Sequence, residues 1–131
     1  MNILPSLLLA IPAVVMAGGI APAKRPDFSA VTNVAAAKTL VARGALVETL
    51  AFPAELGGPP AKENIIYIPP AVVEARALVI RTIERMTRDG NVNRMDVEPD
   101  YRGDSVVPTR LRMTAWREGE TTKFEAVVEI W

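Results

Sequence analysis

Leu50-Ala-Phe-Pro-Ala-Glu-Leu-Gly-Gly-Pro-Pro-Ala-Lys-Glu-Asn-Ile-Ile-Tyr-Ile-Pro-Pro70 sets the architecture of this chain. At its centre stands Gly57-Gly58-Pro59-Pro60, with apolar residues on both sides and a closing Pro69-Pro70 step. Glycine reaches backbone angles that other residues resist, and proline fixes its own φ, so the run marks a forced change of direction rather than a tether. The runs on either side, Ala45 to Phe52 and Asn64 to Ile68, are rich in Val, Ile and Tyr and favour extended structure, which predicts two strands pairing around a long loop.

Pro70 then opens the clearest helix, because proline at a first helical position loses no hydrogen bond, and Gly90 closes it. Val72, Val79, Ile83 and Met86 form one apolar stripe at helical spacing, with Glu74, Arg81, Arg85 and Arg88 opposite, so one face packs on a sheet. Glu84 and Arg88, four apart, are in the order that favours a surface ion pair worth about 0.3 to 0.5 kcal/mol.

Beyond Gly90 the period becomes two. Met95, Val97, Pro99 and Tyr101 alternate with Asp96, Glu98 and Asp100, which predicts a strand with one solvated face, turned by Arg102-Gly103-Asp104. Val106 to Trp116 is the next strand, with Leu111, Met113 and Ala115 on one face and Arg110, Arg112 and Thr114 on the other. Glu118-Gly119-Glu120 turns the chain back. Lys123 to Trp131 follows, with Phe124, Ala126, Val128 and Ile130 on one face and Lys123, Glu125 and Glu129 on the other, so arginines are expected opposite glutamates across this hairpin. The order β-β-α-β-β-β predicts an α+β domain over residues 45–131, one main helix on an antiparallel sheet.

Residues 24–44, Ala-rich and weakly patterned, read as a lead-in containing a short helix or irregular chain. Residues 1–23 carry no charged side chain, and small residues at Val15-Met16-Ala17 and Ala21-Pro22-Ala23 precede Lys24-Arg25. That is the composition of an export signal peptide, giving a periplasmic or secreted protein. A retained membrane anchor is one alternative, although Pro5, Pro12, Gly18, Gly19 and Pro22 make a poor straight helix, and a buried helix of the domain itself is the other.

The totals restrict function. With 131 residues, half of them apolar, the chain can bury the core of one domain. Basic and acidic residues number 15 each, which gives none of the net positive field of a non-specific nucleic-acid binder. Cysteine and histidine are both absent, removing thiolate chemistry, the commonest general base and the commonest transition-metal ligand.

Glu55-Leu56-Gly57-Gly58, Glu63-Asn64-Ile65-Ile66 with Pro69, the helix ending in Asp89-Gly90, Asp96-Val97-Glu98-Pro99-Asp100-Tyr101 and Pro108-Thr109 occur in that order. Together they resemble the DNA/RNA non-specific endonucleases of the ββα-metal nuclease group, in the form found in bacterial secreted toxins. The resemblance spans Leu46 to Trp131 and implies a ββα-metal-nuclease-like fold. In that family a histidine activates the attacking water, and an asparagine on the helix helps hold a divalent cation such as Mg²⁺. Aligning the Leu-Gly-Gly turns puts Leu50 at the histidine position, and leucine cannot take a proton. The helix asparagine falls near Val73 to Ala75, where Glu74 is the one possible ligand. Asn64 is retained, and Glu84 matches the family's helix glutamate. The resemblance therefore implies a relative that has lost its catalytic base. A carboxylate-based nuclease would use Glu48 or Glu74 as base, with the metal on Asn64 and Glu84.

Other candidate sites have plainer explanations. Asp96, Glu98, Asp100 and Asp104 are hard oxygen ligands, but their spacing is wrong for the common calcium loop, and strand alternation places three of them on one solvated face anyway. Arg102-Gly103-Asp104 is explained by its turn. Arg81, Arg85, Arg88, Arg110 and Arg112 form a phosphate-contacting surface only if helix and hairpin present them together. Trp116 and Trp131 stand at strand ends, where core-edge packing competes with a partner surface. The reading is an exported, nuclease-like, catalytically inactive binding module for a protein or, weakly, for nucleic acid. A carboxylate-based nuclease and a structural envelope protein are the alternatives.

Overall fold

The computed structural model describes residues 25–131, and the expectations for residues 1–23 lie outside them. Helix α1 (Val34–Ala42) begins where the Asn33 side chain accepts the Ala36 N–H at 2.8 Å, supplying one orphan donor of the first turn with its acceptor. Phe28, Val31 and Ala37 enter the same buried cluster as the later strands, so the stretch read as a lead-in packs with the domain.

Strands β1 (Val47–Leu50) and β2 (Ile65–Ile68) pair antiparallel, with Val47 opposite Ile68 and Leu50 opposite Ile65. Both are shorter than their apolar runs because Phe52 and Asn64 are drawn into the connecting turn. Pro70–Val72 forms one 3-10 turn that runs into α2 (Val73–Arg88), and Gly90, with φ of 76°, ends it in the left-handed region. Ile80 and Ile83 are its buried residues, flanked by half-buried Val72, Val79 and Met86, so the expected stripe is centred one residue away at Ile80.

Strands β3 (Arg94–Asp100), β4 (Arg110–Trp116) and β5 (Lys123–Glu129) form a second, separate antiparallel sheet in that order. Among the described residues the fold is therefore α+β with two antiparallel sheets and a single main helix, rather than one sheet. Leu111, Met113 and Ala115 are fully buried on the inner face, with Met95, Val97, Phe124, Ala126 and Val128 beside them, as the alternation predicts. Ile83 joins this cluster, and Met86 shares a hollow with Phe124, so α2 covers the inner face.

Three further expectations change. The β4 strand starts at Arg110 and not at Val106, because Ser105 to Thr109 are folded inward: Ser105 Oγ donates to the Phe28 carbonyl at 2.8 Å, and the Val106 N–H donates to the Val31 carbonyl at 2.8 Å. Across β4 and β5 only Arg110 meets a glutamate, Glu129, since Arg112 lies opposite Val127. The arginines pair instead with β3, Arg112 with Glu98 at 2.6 Å and Asp100 at 3.1 Å, and Arg110 with Asp100 at 3.5 Å. Finally, Arg88 makes no ion pair with Glu84; the pair found along the helix is Glu74 with Arg81 at 3.9 Å.

Candidate functional site

The Leu50–Pro70 segment closes on itself through Asn64. Its Oδ1 accepts the Phe52 N–H at 2.8 Å, while its Nδ2 donates to the Phe52 carbonyl at 2.9 Å and the Pro59 carbonyl at 3.0 Å. One amide therefore holds both arms of the loop, and its oxygen is occupied by a backbone donor. Arg76, at the end of the first turn of α2, reaches across to donate to the Leu50 carbonyl. Burial pulls its guanidinium below the ordinary arginine value, opposed by the charge of Glu55. Strand, loop and helix meet at the position where the resemblance puts the catalytic base, and an arginine occupies the junction.

The carboxylates named from sequence do not converge there. Glu48, on β1, pairs with Lys38 of α1 at 3.8 Å. Glu74 is held toward Arg81 on the exposed face of α2. Glu84 lies ten residues further along the same helix, about 15 Å away along its axis. Among the described residues no group of three or more acidic side chains could hold a metal ion. Nor are the arginines gathered: Arg110 and Arg112 stand on the outer face of the three-stranded sheet, whereas α2, bearing Arg81, Arg85 and Arg88, covers the inner one. The outer face also carries Asp96, Glu98, Asp100, Glu125 and Glu129, which cancel its arginines. The Asp100 hydrogen bond and charge, with Glu98 behind them, raise the Arg112 guanidinium above its ordinary value, as expected of a paired cation. Trp131 is buried, its Nε1 donating to the Val107 carbonyl at 3.1 Å with Phe28 edge-on to it. It serves the core and not a partner surface.

What the fold does assemble is a groove between α1 and β2. Val34, Lys38, Lys62, Ile65 and Tyr67 line a hollow of about 240 Å³. An adjoining hollow of about 300 Å³ shares Val34, Ile65 and Tyr67 and adds Tyr101, Ser105 and Val106. Val34 and Tyr101 are each 48% exposed and leave apolar surface open to solvent along the groove. Tyr67 forms the floor, 4% exposed, opposite Glu48 on the paired strand. Two cations, Lys38 and Lys62, stand at one end, and Lys62 makes no ion pair among the described residues. An apolar trough with amphipathic tyrosines and a basic end suits an aromatic or aliphatic side chain with a neighbouring carboxylate.

Sequence reasoning missed these residues. They come from α1, the turn before β2, β2 itself and the chain after β3, so no local spacing unites them. The one available signal was Tyr67 inside the Ile65-Ile66-Tyr67-Ile68 run, a polar tip on a strand otherwise wholly apolar.

Burial, then the charge and hydrogen bond of Glu48, raise the Tyr67 phenol above its usual value. A group whose folded pKa is raised contributes stability that is complete below its unfolded value, about 10, and is lost as pH rises through the folded one. Thermal unfolding followed from pH 8 to 11 is therefore expected to fall above pH 10, and Tyr67→Phe is expected to flatten that fall. An unchanged alkaline slope in the variant would show that Tyr67 is not the group responsible.

No protein-family model matches the chain, and neither a curated protein nor a solved structure was found to match it.

Proposed function

We propose that this chain is an exported, non-catalytic binding module built on a ββα-metal-nuclease-like frame, and that it holds a protein partner through the groove between α1 and β2. The order of the β1–β2 hairpin and α2 supports the frame, as does the approach of α2 to the end of β1 through Arg76 and Leu50. The observation that carries the binding reading is the groove itself: exposed Val34 and Tyr101 beside buried Tyr67, with Lys38 and Lys62, the latter without an ion pair among the described residues, at one end. The favoured partner feature is a peptide segment with an aromatic or aliphatic side chain next to an acidic one. A protein partner is preferred to nucleic acid because the sheet arginines are neutralised by β3 carboxylates, and because Arg85 and Arg88 on α2 stand apart from them. Loss of catalysis is supported by Leu50 at the base position and by the separate engagements of Glu48, Glu74 and Asn64.

Two assays test the reading together. Single- and double-stranded DNA and RNA are incubated with the purified chain in Mg²⁺, Mn²⁺ or Ca²⁺, with chelator as control, and no cleavage is expected. Metal-dependent cleavage abolished by Glu48→Ala or Glu74→Ala would establish a carboxylate-based nuclease instead. In parallel, peptides selected on the chain from a random library are expected to carry acidic-aromatic pairs and to lose at least about tenfold in affinity on Lys62→Glu or Tyr101→Ala. Selected peptides indifferent to both substitutions would place the binding surface elsewhere.

A further inference from the structure

The three-stranded sheet ends on β5, whose outward side has no partner in the described chain. The Ile130 N–H donates to the Thr109 carbonyl at 2.8 Å, and these residues stand directly opposite one another in the β4–β5 register. In an antiparallel ladder hydrogen-bonded pairs recur at every second residue, so Phe124, Ala126 and Val128 bond to β4, while Glu125, Val127 and Glu129 direct their N–H and C=O groups out of the edge. No backbone hydrogen bond outside the ladder engages those three among the described residues. The seven-residue strand carries no proline, its register runs unbroken from Lys123 to Glu129, and Val127 is 50% exposed. Natural edges are usually blunted by proline, bulges or irregular chain. The opposite edge is so treated, since β3 carries Pro99, and a second copy of β3 would bring Asp96, Glu98 and Asp100 against one another.

We propose that β5 joins a second copy of this chain, edge to edge and antiparallel about a twofold axis through Ala126, making one six-stranded sheet across the dimer. Charge selects the register. With Ala126 on the axis, Lys123 faces Glu129 of the second copy and Glu129 faces its Lys123, while Glu125 faces Val127 and Phe124 faces Val128. The outward-pointing groups of Glu125 and Val127 then meet as a hydrogen-bonded pair, as the ladder requires. Moving the axis to Val127 sets Glu125 against Glu129, and moving it to Glu125 sets that carboxylate against itself. Opposite charges across a strand pair stabilise and like charges destabilise, so one register is favoured. This inference is independent of the groove and of the ancestry of the fold.

The chain has no cysteine, so one introduced thiol reports on the axis. In the full-length chain, Ala126→Cys is expected to form a disulfide-linked dimer under mild oxidation, faster than Val127→Cys, because only residue 126 faces itself. Sedimentation of the unmodified full chain is expected to show a reversible dimer. Val127→Pro removes an outward N–H without touching the β4 ladder, and Lys123→Glu opposes two carboxylates; each is expected to raise the dimer Kd about tenfold. Combining Lys123→Glu with Glu129→Lys restores both pairs and is expected to return the Kd toward that of the parent. A mere loss of the Lys123 contact with the Trp116 ring would not be rescued in this way. A chain that stays monomeric, a dimer indifferent to Lys123→Glu, a swap that fails to rescue, or equal cross-linking at 126 and 127 would each overturn the proposal.

Discussion

Gly58→Ala is expected to destabilise the domain by at least about 3 kcal/mol, the largest effect of any single methyl group in the loop. A Cβ at this position would stand 1.9 Å from the Phe52 carbonyl oxygen, 2.6 Å from its carbon and 2.9 Å from the Pro53 oxygen. All three are backbone atoms, and none is free to yield. The Gly58 N–H donates to the Pro53 carbonyl at 2.9 Å, Pro53 is fully buried, and Phe52 is bonded on both its N–H and its carbonyl by Asn64. Gly57 provides the comparison. Its φ of 96° strains an alanine, but a Cβ there meets nothing within 4 Å, so Gly57→Ala is expected to cost only about 1 kcal/mol. Urea unfolding of the two variants side by side measures the contrast. Equal losses would mean that the turn does not lie against Phe52 and Pro53.

Asn64→Ala is expected to cost about 2 to 4 kcal/mol, lowering Tm by roughly 10 to 20 °C, because it strands the Phe52 N–H and two carbonyls in a part-buried loop. Asn64→Asp is the more telling substitution. A carboxylate still accepts from Phe52, but it replaces two donated hydrogen bonds with a negative charge against the Phe52 and Pro59 carbonyls, so Tm is expected to fall at least as far as in the alanine variant. Were Asn64 a metal ligand, the aspartate would bind a divalent cation more strongly, and Mg²⁺ would raise the Tm of that variant above its metal-free value. Calorimetry of parent and both variants with and without Mg²⁺ separates the roles. Tm values unaffected by Mg²⁺ are expected throughout.

Much of the frame was legible because its signals are local. Pro70 and Gly90 bracket α2, and strict alternation from Met95 and again from Leu111 and Phe124 assigned the inner face of the three-stranded sheet residue by residue. Where propensity alone was available, as in residues 24–44, the helix at Val34–Ala42 was one of two readings, and the burial of Phe28 and Val31 against the distant Trp131 and Ser105 was not visible. Strand alternation likewise assigned faces but not neighbours. Arginines on β4 and glutamates on β5 looked complementary, yet the register sets Arg112 against Val127, and Arg110, although opposite Glu129, pairs like Arg112 with the β3 carboxylates.

The candidate site was less legible still. The resemblance offers Asn64 as a metal ligand, whereas the folded loop shows a contact no local pattern announces: its amide bonds the Phe52 backbone and the Pro59 carbonyl. The resemblance offers Glu48 as a base, and the fold sets it beside Lys38 and opposite Tyr67. Amino-acid order by itself determined the α+β class, the helix, the turn between β1 and β2 and the two faces of the larger sheet, because periodicity and the φ preferences of glycine and proline act within a few residues. Tertiary structure alone decided that the β-strands divide into two sheets, that Arg76 meets Leu50, and that Val34, Lys38, Lys62, Tyr67 and Tyr101 share one groove. Those contacts join residues tens of positions apart, and only the packing of the whole chain sets the distances between them.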